Sequence, residues 1–142
     1  MFIDSSALTA LLALEPDAAR LAAAIEEAKL PKVASIVRLE AAMVLSTLLG
    51  VTPKVANEAI TQVFEDAAIT VVPLGDAIMQ AAVEAFEMFG KGRGHPARLN
   101  FGDCLVYAAA RIRGDPLLSK GNDFTHTDIK SVLEDPLPIQ CA

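Results

Sequence analysis

The sequence alternates between short apolar runs and longer segments with helical periodicity, and this alternation restricts the possible folds more than any other feature. Each apolar run is only a few residues long, as is typical of buried strands, and one or two helical segments separate it from the next. Strands that alternate with helices predict an α/β fold with a mainly parallel sheet. The predicted strands are Met1–Ile3, Val33–Ala34, Ile69–Val72 and Pro116–Leu118, with a possible last strand at Ile129–Leu133.

The helical segments begin and end at residues typical of helix termini. Prolines stand near the predicted starts, and glycines follow several predicted ends. The predicted helices are Ala7–Leu14, Ala18–Ala28, Ile36–Leu49, Pro53 to about Asp66, Asp76–Phe89, and a last helix that Asn100 caps and Gly114 ends. In the fifth helix the spacing of four large apolar residues predicts core packing: Met79, Val83, Phe86 and Phe89. The proline-rich end from Pro136 predicts an extended arm.

Composition restricts the class of protein. A chain of 142 residues with 53% hydrophobic content fits one domain, residues 1–142. No apolar run reaches membrane-spanning length without a charge, and the first residues lack the basic flank of a signal peptide, so a cytoplasmic protein is expected. Two cysteines do not make a disulfide framework. Zinc is disfavoured, because the cysteines and histidines have no paired ligand spacing: Cys104, Cys141, His95 and His126.

Four carboxylates occupy positions that a parallel sheet would bring to one edge. Asp4 and Asp123 follow the first and fourth predicted strands, and Glu40 and Asp103 lie near the starts of helices that face the same edge. Each has an ordinary structural explanation: Asp4 and Asp103 as helix caps, Glu40 as the partner of an arginine, and Asp123 as a turn residue. Together they would repel one another, and a divalent cation is the natural compensation. Ligands that are all oxygen atoms favour Mg²⁺ or Mn²⁺.

The environments of two of these acids are predicted in more detail. Asp103 belongs to the first turn of a helix, where the positive end of the helix is expected to lower its pKa. Glu40 shares a helix face with apolar residues such as Met43 and Val44, and Arg38 points elsewhere. Glu40 therefore needs either a distant arginine or a cation held jointly with Asp4 and Asp103.

Basic residues gather in one part of this acidic chain, whose formal net charge is −6. Residues 91–113 contain only one acid, Asp103, and five cations: Lys91, Arg93, Arg98, Arg111 and Arg113. A local basic patch could bind the phosphate backbone of a nucleic acid. Solvated loop residues and ordinary arginines at a helix end explain the same charges equally well. The glycines around Arg93 match neither a P-loop nor a dinucleotide-binding fingerprint.

Several segments resemble the VapC-type toxins of the PIN-domain ribonuclease family from end to end. They are Met1–Ala7, Glu40 in its helix, Gly90–Pro96, Leu99–Cys104 and Lys120–Phe124, of which the Gly-His-Pro and Asn-Phe-Gly-Asp segments are the most specific. The resemblance implies a three-layer α/β/α PIN-like fold and a Mg²⁺- or Mn²⁺-dependent endoribonuclease. It places the family's acidic quartet on Asp4, Glu40, Asp103 and Asp123, and implies a cognate VapB-like antitoxin and a homodimer. Ser119-Lys120 departs from the threonine and polar residue of many relatives.

A mechanism follows as a hypothesis from these residues. Asp4 and Asp103 contact the metal, Glu40 is a third ligand or the base for the attacking water, and Asp123 orients water or binds a second ion. Ser6 and Asn100 are candidates to orient these ligands. Three cations are candidates to bind RNA phosphates: Lys91, Arg93 and Arg98.

Other classes of protein remain as alternatives. A phosphoaspartyl phosphotransferase would use Asp4 as its nucleophile, but Ser6 stands where such enzymes have a second acid. A hydrolase built on Cys104 has no evident nearby base. A non-catalytic interaction module would bind a partner's arginine in the acidic pocket.

Overall fold

The computed structural model describes residues 1–133, which form a parallel four-stranded sheet surrounded by six helices. The predicted arm from Pro136 and Cys141 lie outside the described residues. In chain order the elements are β1 Phe2–Ile3, α1 Ser5–Leu12, α2 Ala18–Glu27, β2 Lys32–Ala34, α3 Ile36–Leu49, α4 Pro53–Asp66, β3 Thr70–Val72, α5 Asp76–Phe89, α6 Phe101–Arg113 and β4 Leu117–Leu118. The α/β fold with a short-stranded parallel sheet is confirmed.

The strand order is β3-β2-β1-β4, so β1 lies inside the sheet between β2 and β4. Phe2 is paired with Lys32 on one side and with Leu117 on the other, and Ile3 is paired with Leu118. Both residues of β1 are fully buried, as expected for a central strand of a sheet covered on both faces. Because all four strands are parallel, the residues that follow β1 and β4 emerge at the same edge of the sheet.

The start of α4 and the ends of α3 and α6 lie where the sequence predicts them, whereas α1 is Ser5–Leu12 instead of the predicted Ala7–Leu14. Thr52 caps α4 by accepting a hydrogen bond from the Val55 amide, with Pro53 in the first turn. Gly50 and Gly114 end α3 and α6 in the left-handed conformation that glycine adopts most easily. Within residues 1–133, none of the helices is long and apolar enough to cross a membrane.

The core face of α5 differs from the prediction. Ile78, Ala82 and Ala85 are buried, whereas the side chains expected in the core are largely exposed: 39% for Met79, 69% for Val83 and 46% for Phe86. The predicted helical periodicity of α5 was right, but the predicted buried face was wrong. The small side chains of Ala82 and Ala85 let α5 pack closely on α6. Phe89 is partly buried, as predicted, and its ring contacts the ring of Tyr107.

Two further details differ from the expectations. The face of α3 that carries Glu40 is open, with Met43 61% and Val44 50% exposed, because the helix buries the side with Val37, Ala41 and Leu45. The segment at Ile129–Leu133 forms a single parallel bridge, Ser131 to Leu117, instead of a strand. Since β4 itself has only two residues, it offers few backbone groups for a neighbour to pair with.

Candidate active site

Asp4 lies at the carboxyl end of β1 and caps α1. Its Oδ2 accepts hydrogen bonds from the Ser6 amide at 3.1 Å and from the Ser6 hydroxyl at 2.6 Å. The residue is only 4% exposed, and burial raises its pKa in spite of these two bonds. Asp4 is therefore both a cap, as its sequence position allows, and a buried carboxylate held in one orientation by Ser6.

Asp103 lies in the first turn of α6 and forms a capping box with Asn100. The Asn100 side chain accepts from the Asp103 amide at 2.8 Å, and Asp103 Oδ2 accepts from the Asn100 amide at 3.1 Å. The predicted lowering of its pKa is wrong: the pKa is raised to about 6. Burial outweighs the hydrogen bond from Asn100, and the charges of Asp123 and Asp4 raise the pKa further.

Glu40 extends from α3 to the beginning of α6, where Gly102 leaves room for its carboxylate. A Cβ atom at Gly102 would lie 2.8 Å from Glu40 Cδ and closer still to Oε2. Glu40 Oε1 is buried and has no hydrogen-bond partner. Burial, followed by the charges of Asp4 and Asp103, raises the pKa of Glu40 to about 7. This carboxylate is thus placed for an external partner.

Asp123 reaches the same edge of the sheet from the loop after β4. Gly121 has a φ of +92°, which allows the turn, and Phe124 is buried and anchors the following residues. Asp123 itself is exposed, and its charge raises the pKa of both Asp4 and Asp103. The four predicted acids therefore converge electrostatically, although they come from four separate parts of the chain.

Among residues 1–133, none of these four acids forms a salt bridge with lysine, arginine or the amino terminus. Arg38 contacts α4 instead, where it donates to Asn57 and Thr61 at 2.8 Å each and lies over the ring of Phe64. The explanation of Glu40 as the partner of an arginine is therefore wrong for the described part of the chain. Protons or a bound cation can compensate the charge of these acids instead.

The four acids offer only oxygen ligands, which suit Mg²⁺ or Mn²⁺. The buried Oε1 of Glu40 without a partner fits such an ion, and so do the raised pKa values. In the described part of the chain, however, no three Asp, Glu, His or Cys side chains form a ready metal cluster. The like charges of the acids repel one another while no cation lies between them.

Three exposed cations stand on the segment between α5 and α6, and we call residues 91–98 the basic loop. Its exposed cations are Lys91, Arg93 and Arg98. A bridge between Gly90 and Leu99 closes its base, and His95 Nδ1 accepts from the Ala97 amide at 3.1 Å. The loop leads through Leu99 into Asn100 and the capping box, so its cations lie close in the chain to Asp103. Arg111, by contrast, is paired with Asp128.

Comparison with known proteins identifies the family. The family model for the PIN domain matches residues 1–130. The chain belongs to the PIN-domain family. Among curated relatives, Ribonuclease VapC28 of Mycobacterium tuberculosis is 40% identical over 134 residues, 94% of this chain and 98% of that protein. Ribonuclease VapC30 of the same species is 41% identical over 132 residues, 93% of this chain and 98% of that protein.

Two solved structures share the fold. The crystal structure of Mycobacterium tuberculosis VapC20, a toxin that cleaves the sarcin-ricin loop, has a TM-score of 0.71 at 20% identity and covers 90% of this chain and 95% of that chain. A toxin-antitoxin complex from Klebsiella pneumoniae has a TM-score of 0.66 at 16% identity and covers 89% of this chain and 92% of that one. The resemblance to the VapC toxins is confirmed, and so is the three-layer α/β/α fold.

As a VapC-type PIN-domain protein, the chain is the toxin of a toxin-antitoxin system and an endoribonuclease, a hydrolase of phosphodiester bonds. PIN-domain VapC ribonucleases depend on a divalent metal ion. Sequence reasoning did not find two features near the acids. The first is the space that Gly102 leaves for the Glu40 carboxylate, and its only signal in the sequence was a glycine in the first turn of a helix. The second is the hydrogen bond from the Lys120 amide to the Ser6 hydroxyl oxygen, whose only signal was the Ser119-Lys120 departure from many relatives.

Proposed function

We propose that this VapC-type endoribonuclease cleaves RNA at the edge of the sheet where Asp4, Glu40, Asp103 and Asp123 converge, with Mg²⁺ as the preferred ion and Mn²⁺ as a substitute. The observation that supports this most is that the charges of these acids raise one another's pKa values, while none of the four pairs with a basic side chain among residues 1–133. When bound, the ion would neutralise charge on the phosphodiester and lower the pKa of the water molecule that attacks it. Asp4, Asp103 and Glu40 would hold it.

The protein's own residues divide the remaining work. Ser6 and Asn100 orient Asp4 and Asp103 through the hydrogen bonds described above, which makes the ligand positions rigid before binding. Glu40, whose buried Oε1 has no hydrogen-bond partner among the described residues, would act either as a third ligand of the ion or as the base for the attacking water. Asp123, which is exposed, would orient water or bind a second ion.

Substrate binding is proposed for the basic loop. Its three exposed cations stand on an otherwise acidic protein whose negative charge would repel RNA, and they shortly precede Asp103 in the chain. Contacts from Lys91, Arg93 and Arg98 to phosphates would fix the register of the RNA without reading its sequence. We place this activity in the cytoplasm.

The decisive experiment is cleavage of a structured RNA with Mg²⁺ or Mn²⁺ by wild type, Asp4→Asn and Asp103→Asn. We expect each variant to lose about 10³-fold in kcat/KM, since several kcal/mol of charge stabilisation disappears with a ligand. Asp76→Asn is the matched control, because Asp76 is also an aspartate in the first turn of a helix, exposed and outside the site. Equal activity of all four proteins would reject the assignment.

The partners of the chain are an antitoxin and RNA. For the VapB-like antitoxin we propose that a basic side chain enters the acidic pocket and pairs with Glu40, whose Oε1 has no partner among the described residues. Titration with Mn²⁺ in the presence of the antitoxin tests this, because an inserted cation and the metal would compete. An unchanged Mn²⁺ affinity in the complex would contradict it.

A homodimer is the second proposed assembly. Met79, Val83 and Phe86 on α5 and Phe101 on α6 line an exposed apolar groove of about 210 Å³, and apolar surface of this kind marks contact sites. Val83→Lys should turn a dimer into a monomer in sedimentation experiments. Val55→Lys, at an exposed valine of α4, should leave the dimer intact. A wild-type monomer at micromolar concentration would contradict the proposal.

A further inference from the structure

Lys120 joins the loop after β4 to the connection between α1 and α2. Its ammonium group forms salt bridges with Glu15 Oε2 and with Asp17 Oδ1, the latter at 3.3 Å. The two acids stand before α2, more than a hundred residues away in sequence. We call these three residues the lysine clamp.

The clamp is anchored to a buried acid. The Asp17 side chain is only 8% exposed, and its second oxygen, Oδ2, is buried without a hydrogen-bond partner. A buried carboxylate needs a counter-charge, and Lys120 supplies one. The lysine is 33% exposed but has two carboxylates in contact, so its charge is already used within the protein.

The backbone of the same residue leads directly to the acidic site. The Lys120 amide donates to Ser6 Oγ at 3.0 Å, and the Ser6 hydroxyl donates to Asp4 Oδ2 at 2.6 Å. Two residues before Lys120, the carbonyl of Leu118 accepts a hydrogen bond from the Asp4 amide at 2.9 Å. Asp123 follows Lys120 by three residues, across the turn at Gly121. Lys120 thus lies between the clamp and two of the four acids.

We propose that Lys120 is a positioning residue of the nuclease: the lysine clamp holds the loop that carries Asp123 and fixes the Ser6 hydroxyl that orients Asp4. The inference rests on the proposed function of the four acids. It assigns the lysine to the metal-binding geometry and not to RNA contact, because two carboxylates occupy its ammonium group. Loss of the clamp should weaken metal binding and lower kcat while KM for RNA stays unchanged.

The experiment measures Mn²⁺ affinity by calorimetry, together with kcat and KM for a structured RNA, for wild type, Lys120→Met and Lys120→Arg. We expect Lys120→Met to lose about tenfold in Mn²⁺ affinity and in kcat, as for groups that orient metal ligands. Lys120→Arg keeps the charge and should restore both values to within a few-fold. Lys54→Met, on α4, is the control for loss of a lysine and should behave as wild type.

Glu15→Gln tests the acidic half of the clamp with a milder change, and it serves also if Lys120→Met fails to fold. If Lys120 acts through the clamp, Glu15→Gln should lower Mn²⁺ affinity as well, and the double variant should lose less than the two single losses combined. An unchanged Mn²⁺ affinity in both single variants, or a change confined to KM, would overturn the proposal.

The failure of this inference can be told from the failure of the proposed function. If wild type itself binds no Mn²⁺, the proposed function is wrong, and hydrogen exchange of the amides at residues 119–123 then tests the clamp without metal. Lys120→Met should increase the exchange of these amides about tenfold over wild type, because local opening becomes easier. Unchanged exchange would overturn the clamp by itself.

Discussion

The close approach of Glu40 to Gly102 predicts that Gly102→Ala, which adds one methyl group, will lower activity without lowering the stability of the fold. In Gly102→Ala the new Cβ would lie 2.8 Å from Glu40 Cδ, whereas ordinary contacts begin at 3.4 Å. The carboxylate therefore has to move away by roughly 1 Å, and a misplacement of that size at a reacting group costs about 10²-fold in rate. Glu40 can move by rotating its side chain, so the fold itself has little reason to suffer.

The effect on stability should be small or even favourable. Alanine stabilises a helix over glycine by about 0.5–1 kcal/mol, and Gly102 lies in the first turn of α6 with ordinary helical geometry. We expect Gly102→Ala to melt within a few degrees of wild type while kcat/KM for a structured RNA falls about 10²-fold and Mn²⁺ binds more weakly.

Gly75→Ala is the matched control. A Cβ at Gly75, the N-cap of α5, would meet nothing within 4 Å, so this variant should keep wild-type activity and Mn²⁺ affinity. The reasoning would be refuted if Gly102→Ala cleaved RNA and bound Mn²⁺ as wild type does. It would also be refuted if Gly75→Ala lost the same activity.

Three further outcomes are expected. In the absence of metal, Glu40 contributes stability in its protonated form below its ordinary pKa of 4.5, and this contribution disappears as pH rises through about 7. As the pH rises from 5 to 8, the melting temperature of Glu40→Gln relative to that of wild type should therefore rise by roughly 4 °C, which corresponds to about 1 kcal/mol. A difference in melting temperature that stays constant between these pH values would contradict this. Replacing all three exposed cations of the basic loop by alanine should reduce the slope of log affinity for single-stranded RNA against log salt by about 2, whereas Lys54→Ala leaves it unchanged. Tyr107→Phe removes a hydrogen bond to Asp128 and should lower the free energy of unfolding by about 1 kcal/mol in urea denaturation, with kcat unchanged.

The lysine clamp and the space at Gly102 belong to the contacts that hold the four acids of the proposed site. Asp4 and Asp103 are each oriented by a neighbour in sequence, through Ser6 and Asn100, and so they need little help from the rest of the fold. Glu40 and Asp123 depend on distant residues. The first needs Gly102 on another helix, and the second lies on a loop that Lys120 ties to the α1–α2 connection.

The sequence was sufficient for the features that depend on neighbours in the chain. Helix starts and ends depend on a few adjacent residues, and the helix cap at Asn100 was predictable for this reason. The alternation of short apolar runs with helices predicted a parallel sheet, and parallel strands bring their carboxyl ends to one edge whatever their order. The convergence of Asp4 and Asp123 followed from that rule alone.

Packing between distant segments decided the rest. The period of α5 was readable, but which face it buries depends on its neighbour α6, so Met79 and Val83 were placed in the core although they are exposed. The direction of the Asp103 pKa shift was predicted from the helix end, a local effect, and burial by the surrounding fold reversed it. The sequence by itself determined which groups carry the charge. Only the tertiary structure decided how far water is excluded from them and which distant residues hold them, because burial and long-range contacts exist only once the chain has folded.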